Sequence, residues 1–181
     1  MTAVLTGEQL RPRRTSVPSW SAQPPALDPA GRTFLLVQVG GRAAEVVDRW
    51  AAEAWEHGRP VRRWGLPGVD GTSAAALARR LDGMHVGDRV LVAGPEADVL
   101  ALVALARGMG LLPEELTAFA VDRGPIPVFC AHCETTARLA VAPGAEVDCP
   151  GCDLRLEVHE HASGHRGSYL ASAVTAAGEH G

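Results

Sequence analysis

All four cysteines of the chain fall in one short window, as Cys130-Ala131-His132-Cys133 and Cys149-Pro150-Gly151-Cys152. In pattern form this is C-x2-C-x15-C-x2-C. Each C-x2-C pair closes a tight knuckle that aims two thiolates at one point, and two knuckles on neighbouring hairpin turns complete a tetrahedron. The spacing points to a closed metal site made by Cys130, Cys133, Cys149 and Cys152, not to a disulfide framework. Zinc is favoured on ligand softness. A four-thiolate iron site uses the same knuckles, but the loop is short for it and aromatic packing residues are few. A closed zinc site has no open coordination position, so its expected role is structural, not catalytic.

Other reactive side chains are less organised. His159, His161 and His165 follow the second knuckle. His159 and His161 share one side of a continuing strand and face either solvent or a second metal. His132 sits inside the first knuckle and is expected at the surface. Gly40-Gly41-Arg42 follows an apolar run but is not a G-x-G-x-x-G, and no acidic residue with a clear ribose role comes after it. No Ser/His/Asp or Cys/His constellation emerges, so no catalytic residue is assigned.

The elements that must position the knuckles can be read from both sides. Thr136 to Val141 suits a strand, Pro143-Gly144 turns it back, and Leu154, Leu156 and Val158 alternate along a second strand. Upstream, Phe34-Leu35-Leu36-Val37-Gln38-Val39 is an apolar run closed by two glycines, as in a buried strand. Residues 43–55 place Val46, Val47, Trp50 and Ala54 on one helical face, ended by His57-Gly58. Residues 61–64 suit a second strand. Thr72 or Ser73 caps a helix carrying Leu77 and Leu81. Residues 89–93 form a third strand, Gly94-Pro95 turns into a helix over 96–107, and residues 116–121 form a fourth strand. Strands alternating with helices predict a small α/β, doubly wound parallel sheet, with any ligand beyond the carboxyl ends of its strands.

Bulk composition limits the function. The chain has 181 residues, 46% of them hydrophobic and 21% charged, enough to bury a core without disulfides. A net charge of −4, scarce lysine and 4% aromatics argue against nucleic acid as a partner, because such binders need a basic footprint or stacking platforms. No stretch reaches the length of a membrane span. Arg13-Arg14 is followed by prolines instead of an apolar segment, so a twin-arginine export signal is rejected and a cytoplasmic location is expected. The organisation expected is a proline-rich arm over 1–30, the α/β part over 31–123, and a zinc ribbon with its tail over 124–181. Arg123-Gly124-Pro125-Ile126-Pro127 would be a stiff linker. The arm reads either as a disordered tail or as a segment pinned along a surface by Trp20.

Arg89-Val90-Leu91-Val92-Ala93-Gly94-Pro95-Glu96, the helix after it and Leu111-Leu112-Pro113-Glu114-Glu115-Leu116 resemble the nucleotide-binding domain of ferredoxin-reductase-like flavoenzymes. In that family the strand ends in Cys-Gly-Pro beside the nicotinamide; here Ala93 replaces the cysteine. The resemblance implies that Gly94, Pro95 and Glu96 would line a nicotinamide pocket, if one is kept. In the phthalate-dioxygenase-reductase branch an iron–sulfur domain follows, where this chain has its four cysteines. The block Gly124-Pro125-Ile126-Pro127-Val128-Phe129-Cys130 through Cys133, Cys149 to Cys152, Leu156 to His159, His161 and Gly167-Ser168-Tyr169-Leu170 is similar to the small zinc-ribbon subunit of bacterial dimethylamine monooxygenase. Ala162 and Gly164-His165 depart from that family's pattern.

That resemblance implies an accessory subunit without its own catalytic centre, in a multisubunit NADPH-dependent oxidation of secondary methylamines. Haem and flavin/iron–sulfur centres would lie on a partner haem subunit and a partner reductase subunit. The alternatives are a nicotinamide-binding electron-transfer component and a zinc-ribbon adaptor. The ribbon and its tail, Val128 to Leu170, are expected to form the docking surface for the other subunits, with Tyr169 and Leu170 exposed on it because they have no evident core to enter; the alternative is that these two fold back on the α/β part.

Overall fold

The structure is a computed structural model and describes residues 17–174. Its first half is a four-stranded sheet in the order β2-β1-β3-β4, every pairing parallel. The elements are β1 (Thr33–Val39), α1 (Ala44–Glu56), β2 (Val61–Leu66), α2 (Ser73–Leu81), β3 (Asp88–Pro95), α3 (Glu96–Gly108) and β4 (Leu116–Asp122). The predicted α/β class is met, and the physical reason lies in β1. Phe34 and Leu36 point to the α1 face, with Val47, Trp50 and Phe119. Leu35, Val37 and Val39 point to the other, with Leu77, Val99 and Leu102 of α2 and α3. A strand covered on both faces reads as a continuous apolar run.

The predicted cap of α2 differs. Thr72 occupies the cap position but makes no side-chain cap bond. Asp70 does this work: its carboxylate accepts from the Thr72 amide at 2.8 Å and from the Thr72 and Ser73 hydroxyls. Those bonds hold its pKa below the usual carboxylate range.

The second half is a five-stranded sheet in the order β6-β5-β9-β8-β7. It comprises β5 (Ile126–Cys130), β6 (Thr136–Leu139), β7 (Glu146–Asp148), β8 (Arg155–Ser163) and β9 (Ser168–Ala173). Two expectations are corrected here. Ile126 and Pro127 belong to β5 and pair with β6; Pro127 is tolerated because pairing with β9 starts one residue later, at Val128. The expected tail after the ribbon is the central strand β9, parallel to β5 and antiparallel to β8.

The sheets meet across α3. This helix is buried nearly all round, from Glu96, Ala97 and Asp98 to Ala106, because the α/β core lies on one side and Leu100 enters the ribbon core on the other. Gly167 makes the approach close: its φ is 65°, and a Cβ there would stand 2.6 Å from the Leu100 carbonyl oxygen.

The described part of the arm, from Val17 on, lies along the protein's own surface. Trp20 packs against both the α/β core and the ribbon core. The Trp50 indole donates to the Pro25 carbonyl at 2.8 Å, and the Leu27 amide donates to Glu53 at 3.1 Å. Asp28 pairs with Arg89 at 2.6 Å. Leu5, Leu10, Pro12, Arg13 and Arg14 lie outside the described residues.

Candidate metal centre

The two knuckles are built alike. In the first, the Cys130 amide donates to the Thr135 carbonyl at 3.0 Å, and the Glu134 amide to the Cys130 carbonyl at 2.9 Å. In the second, Cys149 donates to Leu154 at 2.9 Å, and Asp153 to Cys149 at 2.9 Å. The residue after each second cysteine turns left-handed, Glu134 at φ 59° and Asp153 at φ 58°. Such a turn brings the following residue back, so that the Thr135 and Leu154 carbonyls meet the amides of Cys130 and Cys149. Neither acid attracts notice in the sequence. Their shared position, directly behind the second cysteine of each pair, is the signal that would have found them.

The four sulfurs lie within 4.8 Å of one another. Cys130 and Cys152 sulfurs are 3.9 Å apart, and those of Cys133 and Cys149 are 3.6 Å apart. A tetrahedral ion with metal–sulfur bonds of about 2.3 Å requires sulfurs about 3.8 Å apart, so the residues fit the group. The Gly151 amide, 3.4 Å from the Cys149 sulfur, adds a donor to the thiolate. A Cβ at Gly151 would approach the Cys133 sulfur to 3.2 Å, so a side chain would crowd the centre.

The thiols are electrostatically unequal. Hydrogen bonds from the Thr135 side chain and amide pull Cys133 down to about 6. The Leu154 amide pulls Cys152 down as well, but burial and the three neighbouring sulfurs outweigh it and push Cys152 up to about 12. A cation bound among the four sulfurs would offset the mutual repulsion of their thiolates.

Among the described residues this is the one group of His, Cys, Asp or Glu side chains placed to hold a metal. The second-metal reading of His159 and His161 gains no third ligand. His159 Nε2 is 2.9 Å from Ser172 Oγ, and His161 is exposed. His132 is exposed, as expected.

Gly94, Pro95 and Glu96 lie at the carboxyl end of β3, under the ribbon. A Cβ at Gly94 would meet Val39 Cβ at 2.6 Å, so this glycine serves contact between β1 and β3. Glu96 is 5% exposed, and its Oε1 accepts from the Tyr169 hydroxyl at 3.2 Å. Asp98, two residues further along the same first turn, accepts from the Val69 amide at 2.9 Å and from both terminal nitrogens of Arg138. The expectation that Tyr169 is exposed is therefore wrong. It is 3% exposed because β9 is a central strand and its ring fills the joint against α3. Burial, then the Glu96 carboxylate, raises its pKa above the usual phenol range.

The arrangement defines a class: a four-cysteine ribbon mounted on the strand-end side of a small doubly wound sheet. Residues 127–172 match the family described as dimethylamine monooxygenase subunit DmmA-like, C-terminal domain. The chain is also 38% identical over 152 residues to the heme-dependent oxidative N-demethylase delta subunit of Ectopseudomonas mendocina (strain ymp). That match covers 82% of this chain and 83% of the relative. The chain belongs to the DmmA-like family of dimethylamine monooxygenase subunits. Among the described residues no helix is long and apolar enough to cross a membrane.

Proposed function

We propose that this chain is an accessory, non-redox subunit of a multisubunit NADPH-dependent monooxygenase acting on dimethylamine or a related secondary methylamine. The observation that carries the reading is the match along more than four-fifths of the chain to a delta subunit of a heme-dependent N-demethylase. The haem, the flavin and the iron–sulfur centre then belong to a haem subunit and a reductase subunit, working in the cytoplasm. The ion held by Cys130, Cys133, Cys149 and Cys152 is zinc, and when bound it supplies a cross-link between two hairpin turns. A closed sulfur cage has no place for substrate, which favours a structural role. In the same reading, the α/β part from residue 31 to 123 is a reductase-type nucleotide domain and the part from residue 124 on is the ribbon, and of the arm the described residues 17–30 lie along both.

Two further observations support a lost nicotinamide site at Gly94, Pro95 and Glu96. A dinucleotide needs a free helix N-terminus and a backbone it can approach. The first turn of α3 instead carries two buried carboxylates, Glu96 and Asp98, already engaged by ribbon side chains. The test is co-purification from the native host with metal, haem and flavin analysis, beside the isolated chain. The expected outcome is about one zinc per chain by the four-ligand stoichiometry, no colour, and no amine-dependent NADPH oxidation by the chain alone. A haem or flavin band that stays with the purified single chain would overturn the proposal, as would saturable NADPH binding to it.

A further inference from the structure

The parallel sheet ends on one side in β2, which pairs with β1 and with no other described strand. The Pro60 carbonyl accepts from the Phe34 amide, and the Leu66 carbonyl from the Gly40 amide. Backbone groups alternate along a strand, so residues 60, 62, 64 and 66 face β1, while Val61, Arg63 and Gly65 turn their amides and carbonyls outward. No strand, turn or loop engages those outward groups among the described residues. Pro60 does not guard this edge, since its missing N–H lies on the β1 side. The other edges are less open. β6 and β7 are 4 and 3 residues long. β4 pairs with a register shift at Gly94/Pro95, and Pro24 of the arm lies beside its Phe119 and Val121. β2 keeps one register along all of its 6 residues.

The charge here is one-sided. The chain carries −4 overall, yet residues 57–69 hold His57, Arg59, Arg62 and Arg63 and no acid. The last turn of α2 adds Arg79 and Arg80, the latter over the Trp64 ring. Arg59, Arg62 and Arg79 make no ion pair among the described residues. Arg63 reaches Asp48 of α1, whereas Trp64 packs with Leu77 of α2. Side chains alternate, so Arg62 shares the α2 face with Trp64 and Arg63 stands on the α1 face.

We infer that the open edge of β2 takes an extended acidic segment of a partner protein as a fifth strand of this sheet. The segment's backbone pairs with Val61, Arg63 and Gly65. Its carboxylates meet Arg62 on one face and Arg63 on the other. Backbone pairing supplies affinity for any extended chain, and the arginines select an acidic one. The same charge disfavours a second copy of this chain, because edge-to-edge pairing of β2 would set arginine against arginine. A nucleic acid could use the guanidiniums but has no amides to pair with the edge. The site uses none of the metal ligands and does not rest on the subunit reading above.

The test is fluorescence anisotropy of the full-length, zinc-replete chain with a labelled peptide that alternates glutamate and valine. One control peptide has lysine for glutamate; the other keeps the glutamates and has proline for valine, so it carries the charge but cannot extend a sheet. The first peptide should bind saturably, and each control at least about tenfold more weakly, the worth of one charge-assisted hydrogen bond. In the complex, hydrogen exchange should slow at the Val61, Arg63 and Gly65 amides. Arg62→Glu should weaken binding about tenfold. Gly65→Pro removes one outward N–H and no bond to β1, and should weaken binding by a similar factor. Arg62 is exposed and unpaired among the described residues, so R62E decides the matter even if G65P fails to fold. No saturable binding at millimolar peptide would overturn the assignment. So would parent-like affinity in R62E, or the proline peptide or an oligonucleotide of equal charge bound as tightly as the glutamate–valine peptide.

Discussion

The two sheets of this chain carry comparable numbers of strands and are held by different physics. The parallel sheet is covered on both faces and buries large apolar side chains, among them Trp50, Phe34, Leu36, Leu77, Leu91 and Leu102, each under 2% exposed. The ribbon sheet has alternating strands such as β8, where Leu156 and Val158 are buried and Arg155 and Glu157 are exposed, and its core ends in sulfur. Hydrocarbon burial scales with area, so the first sheet has a core of its own. The second has few large side chains, packs part of its core on Leu100 of α3, and places four cysteines where a bound ion would cross-link it. What the contrast teaches is that α3 is the shared asset. Its Leu100 enters the ribbon core and its Glu96 and Asp98 bond Tyr169 and Arg138, while its Val99 and Leu102 lie in the α/β core.

The sharpest way to break the comparison is Cys149→Ser. It should release the metal and melt β5 to β9, because structural zinc contributes on the order of 10 kcal/mol of folding free energy to a small unit. Hydrogen exchange should then show β1 to β4 still protected. Loss of protection in both sheets at one midpoint would mean that they fold as one unit. Trp50→Ala probes the other side. It empties the α1 face and removes the bond to Pro25, so it should cost about 3–5 kcal/mol in denaturant unfolding. Metal content in the folded fraction should stay at its parent value; a lowered zinc stoichiometry there would join the two stabilities.

Arg138→Gln sharpens the boundary between the sheets. It leaves Asp98 buried with one amide donor. Because Arg138 is about half exposed, the cost should fall near 1–2 kcal/mol, below that of a fully buried pair. Exchange protection should drop first at the start of α3 and in β6; unchanged protection there would remove Asp98–Arg138 from the latch. The smallest effect concerns the arm. The Ala30 amide and Arg89 hold Asp28 below the ordinary carboxylate value of 3.8. A depressed folded-state value means the tether is complete above 3.8 and is lost as pH falls through the lower value. Proteolysis near Leu27 should therefore accelerate only in acid below that range, and Asp28→Asn should show the faster rate already at neutral pH.

Patterns with short periods were legible in the sequence, and partners were not. The run over residues 34–39, the amphipathic spacing through Trp50 and the two C-x2-C pairs each name a local geometry, and all three appear as read. Tyr169 was misread because exposure is a property of what covers a strand. Nothing within Gly167-Ser168-Tyr169-Leu170 says that the strand will insert between β5 and β8. Trp20 was legible as an anchor but not as one that touches two cores at once.

The sequence by itself determined the strand-and-helix alternation, the apolar faces and the two cysteine knuckles, since each rests on backbone geometry within a few residues. Only the tertiary structure decided that β9 is central, that Glu96 and Asp98 meet Tyr169 and Arg138, and that the strand-end crevice lies beneath the ribbon. Those contacts join residues 40 and more positions apart in the chain. They follow from how two sheets share one helix, a choice made by whole-face burial and by no local pattern.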